Sequence, residues 1–188
     1  MELSRRLLTG SQIRLTALNP TDTAQIANWY HDSEFHRLFD GTPFHPRPVA
    51  HWDRWLDKRN RDKDVFIFAI RPVESDKLLG WLELDDIQWT HRTAWIGLGI
   101  GDPAQRGKGY GGEAMRLILN FAFNELNLYR VQLTAFSYNP RALALYERLG
   151  FTHEGTFRQA IERDGQRHDL VLFGLLASEW RDQPDVAG

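Results

Sequence analysis

Asp102-Pro103-Ala104-Gln105-Arg106-Gly107-Lys108-Gly109-Tyr110-Gly111-Gly112 is the stretch on which the fold turns. It follows the strand-like run Thr93–Ile100 and opens the helix-periodic run Gly111–Leu126. Glycines there let the backbone aim several N–H groups at one point and let an anion come close. The helix that follows contributes its unpaired first amides and the positive end of its dipole. Arg106 and Lys108 add formal charge, so the turn is designed for a pyrophosphate.

Gly107, Gly109 and Gly112 also satisfy the dinucleotide pattern G-x-G-x-x-G, which alone is weak. A nicotinamide site wants an acidic residue about 20 positions on, for the ribose hydroxyls. That region reads Arg130-Val131-Gln132-Leu133-Thr134-Ala135, without a carboxylate. A P-loop fails as well. Lys108 precedes glycine rather than Ser or Thr, and Asp stands at 102, where the first glycine belongs.

Upstream, Ile13–Leu18 alternates and reads as a first strand, and Thr21 or Asp22 caps a helix to about Tyr30. Pro46–Asn60 carries Val49, Trp52, Trp55 and Leu56 at helical spacing. Val65–Ile70 and Lys77–Leu84 precede Thr93–Ile100 as strands. Downstream come Val131–Phe136, then Phe157–Arg163 and Arg167–Gly174, with Asp164-Gly165 as a tight hairpin turn between the last two. The class is α+β, one domain over residues 1–180, with 181–188 expected to fray.

Composition sets outer limits. The 188 residues contain no cysteine, which removes disulfides, a thiol nucleophile and thiolate metal sites, and suits a reducing cytoplasm. The histidines show no ligand spacing, so no metal is expected. A net charge of −2 gives no drive toward nucleic acid, and no apolar run spans a membrane. Met1–Leu8 is too short and polar for a secretory signal.

A second element answers the glycine turn. Asn139 is a good N-cap, Pro140 suits the first helical position, and Gly150 suits a left-handed stop, giving a helix over Pro140–Leu149. Asn139 and Tyr146 are seven apart and share a face, two turns from each other. A ligand lying along that helix would meet an amide and then a phenol.

Ile100-x-x-Pro103, Arg106-x-x-Gly109-x-Gly111, Asn139, Tyr146 and Gly150-Phe151 together resemble the GNAT superfamily of acyl-CoA-dependent N-acetyltransferases. The resemblance runs from about Ile13 to Leu176 and is most specific from Trp95 to Phe151. Glu154-Gly155, Arg158, Asp164-Gly165 and Asp169 are similar to the branch holding ribosomal-protein N-terminal acetyltransferases and spermidine acetyltransferases. The resemblance implies a mixed, strongly bent sheet with helices on both faces, whose central strands splay to admit acetyl-CoA. It implies that amides of Arg106, Gly107, Lys108, Gly109, Tyr110 and Gly111 hold the pyrophosphate. The strand through Leu98 and Ile100 would pair with the pantetheine arm. Asn139 would touch that arm or the phosphates, and Tyr146 would lie near the sulfur. A homodimer rests on family analogy alone.

Acetyl transfer needs a neutral amine, support for an oxyanion and a proton for the thiolate. Tyr146 is the candidate proton donor, and an N–H around Leu98–Ile100 the oxyanion donor. Family members often carry a glutamate early in the strand before the glycine turn, where this chain has Trp95. Glu83 or Asp85 on the neighbouring strand is the candidate base, and Ser137 a candidate for aligning the amine or sulfur. An α-amine of pKa near 7.8 is neutral in roughly one molecule in seven at pH 7, a lysine in about one in 2,500. A weak base therefore leans toward a protein N-terminus. The Arg and Lys of the Pro46–Lys63 region weigh against a polyamine. A small amine, an aminoglycoside-like acceptor or a non-catalytic acyl-CoA-binding domain are the competing readings. Trp81, Trp95 and Trp180 are expected in the core, and one or two of Trp29, Tyr30, Trp52 and Trp55 at the acceptor site.

Overall fold

The computed structural model describes residues 7–181; of the tail expected to fray at 181–188, Arg181 ends a helix and 182–188 lie outside the described residues. Seven strands form one mixed sheet: β1 (Ile13–Ala17), β2 (Phe66–Pro72), β3 (Gly80–Gln88), β4 (Thr93–Ile100), β5 (Arg130–Phe136), β6 (Thr152–Arg163) and β7 (Gln166–Leu176). Their order across the sheet is β1-β2-β3-β4-β5-β7-β6. Only the β4–β5 pair is parallel.

Helices cover both faces. On one lie α1 (Thr23–Trp29), α2 (Ser33–Phe39) and α3 (Val49–Arg61). On the other lie α4 (Tyr110–Asn120) and α5 (Pro140–Arg148), while α6 (Ala177–Arg181) closes the described chain. Strand alternation divides the apolar side chains accordingly. Leu82, Leu84, Ile96 and Leu133 pack under α4 and α5 with Ala114, Met115 and Ile118. Trp81 packs on the other face with Ile26, Trp29, Tyr30, Trp52 and Leu56.

Several boundaries differ from the sequence expectation. The first helix meets its expectation, α1 lying between Asp22 at its N-cap and Tyr30 at its C-cap, but a short 3₁₀ turn at Pro20–Asp22 precedes it and the unexpected α2 follows, whose Asp32 side chain accepts from the Glu34 amide. The third helix begins only at Val49, because Pro46 and Pro48 hold the entry extended. β3 starts at Gly80 and runs on to Gln88, and β6 begins at Thr152. The Gly111–Leu126 expectation is met by α4 followed by a π-helical turn over Phe121–Glu125. Asp164 and Gly165 both have positive φ, as their tight hairpin turn requires.

Buried charge fastens the first elements together. Arg71 on β2 donates to Asp22 at 2.6 Å, to the Thr16 hydroxyl at 3.0 Å and to the Asp76 carbonyl at 2.6 Å. Glu113 of α4 accepts from the amides of Ser11 and Gln12, which ties the start of β1 to the helix that opens the glycine turn.

Candidate active site

The parallel ladder between β4 and β5 lasts for three residue pairs, ending at Trp95–Gln132. Beyond it the strands part. Ile96–Ile100 pairs only with β3, and Leu133–Phe136 only with β7. A cavity of about 800 Å³ occupies the notch. It is walled by β4 from Trp95 to Ile100, by the glycine turn, by the end of β5 and by α5. An extended chain entering there would meet β4 backbone groups that no strand of the sheet satisfies on that side.

The glycine turn has the geometry its sequence demands. Gly107 and Gly109 sit at φ of +78° and +90°, and Gly109 caps α4. Gly111 comes close to β4: a Cβ placed on it would lie 3.3 Å from Leu98 Cδ2. The turn therefore lies against the cavity with little to obstruct it, and Tyr110, Gly111 and Gly112 of the first helical turn all line it. These features fit a pyrophosphate-bearing co-substrate whose arm runs beside β4.

Leu98, Ile100, Arg106, Gly107, Gly109, Tyr110, Gly111, Asn139 and Tyr146, all expected at the site, line this one cavity. Two side chains are used differently from the expectation. The Arg106 guanidinium donates to the carbonyls of Ile100 (3.2 Å) and Gly101 (3.0 Å), has Phe35 beneath it and stands 3.7 Å from the Glu34 carboxylate, so it braces the turn against α2. Lys108 is exposed, donates to Gln105 Oε1 at 3.2 Å, and is not a lining residue. Asn139 caps α5 by accepting from the Ala142 amide at 3.2 Å, and its Nδ2 donates to the Leu38 carbonyl of α2 at 3.4 Å. It thereby links the two sides of the notch.

Tyr146 is buried against Phe151 and Phe173, and burial pushes its phenol up to about 12. Ser137 lies outside the cavity. Its amide donates to the Asp169 carbonyl and its hydroxyl accepts from the Asp169 amide, so it fastens β5 to β7.

Glu83 is not a lining residue either, but it lies immediately behind Gly97, which is. Its Cγ and Oε1 pass 3.8 and 4.0 Å from where a Gly97 Cβ would be. Burial raises its carboxyl to about 7, against the lowering charge of Arg59 and with a smaller rise from Asp85. Arg59 of α3 is the residue that sequence reasoning missed. It stands 3.2 Å from Glu83 and 2.8 Å from Asp85. Only the fold brings α3 over β3, so no sequence spacing announces the triad.

The aromatic expectation is corrected in two places. Trp95 lines the cavity rather than the core, because the ladder parts directly after it. Trp29, Tyr30 and Trp52 are buried around Trp81, and α2 supplies the lining residues Phe35, Leu38 and Phe39 in their place. Trp81 and Trp180 pack in the core and at its edge, as expected. Leu38 also borders a second cavity of about 320 Å³, where Arg37 pairs with Asp164 beside Arg163 and His168.

Among the described residues no group of acidic and histidine side chains is placed to hold a metal, and no helix is long and apolar enough to cross a membrane. Comparison with known proteins agrees with the geometry. The chain is similar to the SPbeta prophage-derived uncharacterized N-acetyltransferase YokL of Bacillus subtilis, 32% identical over 92% of this chain and 94% of that one. It is 37% identical to the "Putative ribosomal N-acetyltransferase YdaF" of the same organism over 56% of this chain and 57% of that one. Its structure superposes with a TM-score of 0.83 on spermidine N-acetyltransferase from Vibrio cholerae in complex with CoA and spermine, at 25% identity, covering 92% of this chain and all of that one. The model of the acetyltransferase (GNAT) domain matches residues 12–152, and with a splayed β4–β5 notch beside a glycine turn and Tyr146, the chain belongs to the GNAT family of N-acetyltransferases.

Proposed function

We propose that this N-acetyltransferase moves the acetyl group of acetyl-CoA onto a protein N-terminal α-amine by direct attack on the thioester. The observation that carries the acceptor choice is Glu83, the candidate base, with its carboxyl at about 7. Such a group is matched to an α-amine near 7.8 and lies more than three units below a lysine. Similarity to a protein named as a ribosomal N-acetyltransferase points the same way.

Each residue has a task in this reading. Amides of the turn from Arg106 to Gly111 hold the pyrophosphate, and Leu98–Ile100 binds the arm by backbone pairing and supplies an oxyanion donor. Acetyl-CoA brings the activated acyl group. Glu83 takes the amine proton through the opening that Gly97 leaves, by way of a water. Tyr146 keeps its proton at neutral pH and offers it to the departing sulfur. A homodimer belongs to this reading by family analogy, and sedimentation of the purified chain reads it directly.

The second reading is a polyamine acceptor, favoured by the superposition on a spermidine N-acetyltransferase. Release of CoA from acetyl-CoA separates the two. Turnover of peptides with free N-termini above spermidine and lysine-containing peptides supports the first; spermidine as the better substrate overturns it. Tight acetyl-CoA binding with no release for any amine would make the chain a sensing domain.

A further inference from the structure

We propose that Arg59 is a built-in counter-ion that closes the acidic pair Glu83–Asp85 to polycationic acceptors, so that the acceptor is a single amine on an uncharged body. The inference rests on the acetyl-transfer reading above and narrows its substrate class.

Glu83 and Asp85 stand on one face of β3, paired with Gly97 and Trp95 of the cavity wall, and form a pair of carboxylates that could receive the second or third ammonium of a polyamine. In this chain that place is already filled. The Arg59 Nη2 donates to Asp85 at 2.8 Å and to Glu83 Oε1 at 3.2 Å, and its Nε stands 3.2 Å from Glu83 Oε2. The three side chains are 23%, 13% and 35% exposed, so the pairing is largely screened from water and salt. One guanidinium spanning two carboxylates is the geometry in which arginine, with its fixed fork of donors, outcompetes a flexible ammonium.

The rest of the acceptor side agrees. Where the cavity reaches this face of the sheet its walls are Phe35, Leu38, Phe39 and Trp95 around the bare backbone of Gly97 and Gly99. Phe35 and Phe39 would lie within 3.3 Å of a Cβ on Gly99, so the floor is backbone and the walls are apolar. In the neighbouring cavity Asp164 is likewise taken by Arg37, at 2.6 Å. Glu34 also lines that cavity, 70% exposed, and its carboxylate faces the Arg106 guanidinium at 3.7 Å. Aromatic walls whose neighbouring carboxylates already face guanidinium groups bind one amine attached to an apolar or neutral body. They leave the extra charges of a polycation without partners, which is costly.

The test is steady-state CoA release by the full chain with three acceptors: a peptide with a free N-terminal serine and no charged side chain, phenethylamine, and spermidine. The wild type is expected to favour the better monoamine over spermidine at least about tenfold in kcat/KM. Arg59→Gln, which can still donate but carries no charge, and Arg59→Met are expected to raise the spermidine-to-monoamine ratio about tenfold, through KM for spermidine. Arg59→Lys, which keeps the charge but not the fork, should give a ratio between those of wild type and Arg59→Gln. The acid limb of the pH profile should move upward in Arg59→Gln, because the neighbouring positive charge that lowers Glu83 is gone.

A bracing role alone would lower kcat for every acceptor and leave the ratio unchanged. A ratio within twofold of wild type in the folded variants, judged by their thermal stabilisation with acetyl-CoA, overturns the proposal. So does a wild type that prefers spermidine, a result that needs no folded variant. Phenethylamine turned over without the peptide would sink the N-terminal reading and leave Arg59's role standing. Peptide turned over with unmoved ratios would do the reverse.

Discussion

At the scale of single residues, Tyr146 and Glu83 are opposite cases of one cause. Burial holds the phenol protonated and lifts the carboxyl into the neutral range. Tyr146→Phe keeps the packing against Phe151 and Phe173 and removes the proton. We expect kcat to fall by roughly 10²-fold while the KM for acetyl-CoA stays within a few-fold, measured by CoA release. In the proposed mechanism Glu83 acts when deprotonated, so kcat/KM should rise with pH through about 7 and level off above it. Glu83→Gln should give a low rate with that acid limb gone; a surviving limb near 7 would assign the titration to another group. Ser137 marks the boundary of such reasoning, since a hydroxyl next to a candidate site was more simply a strand fastening.

At the scale of elements, the glycine turn is built for approach. Gly111→Val would push methyl groups toward Leu98, where even a Cβ stands at 3.3 Å. It should raise the KM for acetyl-CoA about tenfold, roughly 1.4 kcal/mol, and shrink the rise in Tm on adding acetyl-CoA. An unchanged KM would mean that the first turn of α4 is not where the co-substrate rests. This turn and α5 were legible because their signals are local: glycines at positive φ, an Asn cap with proline after it, a glycine stop. The bounds of β4 were legible too, from Thr93 to Ile100. The α2 helix was not, because seven residues are too few to show a helical period between His31-Asp32 and Gly41. The start of β6 was hidden for the converse reason: Thr152–Glu154 is exposed throughout and so shows no alternation. Arg59, Trp95 and the bracing by Arg106 are tertiary facts, set by which element lies over which.

At the scale of the whole molecule, the sheet is parted in the middle, between β4 and β5, while its other ladders continue with bulges between β3 and β4 and between β6 and β7. The break after Trp95–Gln132 creates the cavity, and it also leaves two strand edges, Ile96–Ile100 and Leu133–Phe136, facing each other without a ladder. Sheet proteins ordinarily shield such edges with charge, proline or a bulge, because an open edge will accept any extended chain. In the proposed reading the shield is the co-substrate, which would make saturation a matter of colloidal stability as well as catalysis. On slow warming, the chain without acetyl-CoA should begin to scatter light at a lower temperature than the saturated chain, while NAD gives no protection. Equal onset with and without acetyl-CoA would count against the notch as the weak seam. If the gap in the sheet is the seat of acetyl-CoA, as proposed, resistance to self-association would depend on how much of that metabolite the surroundings hold.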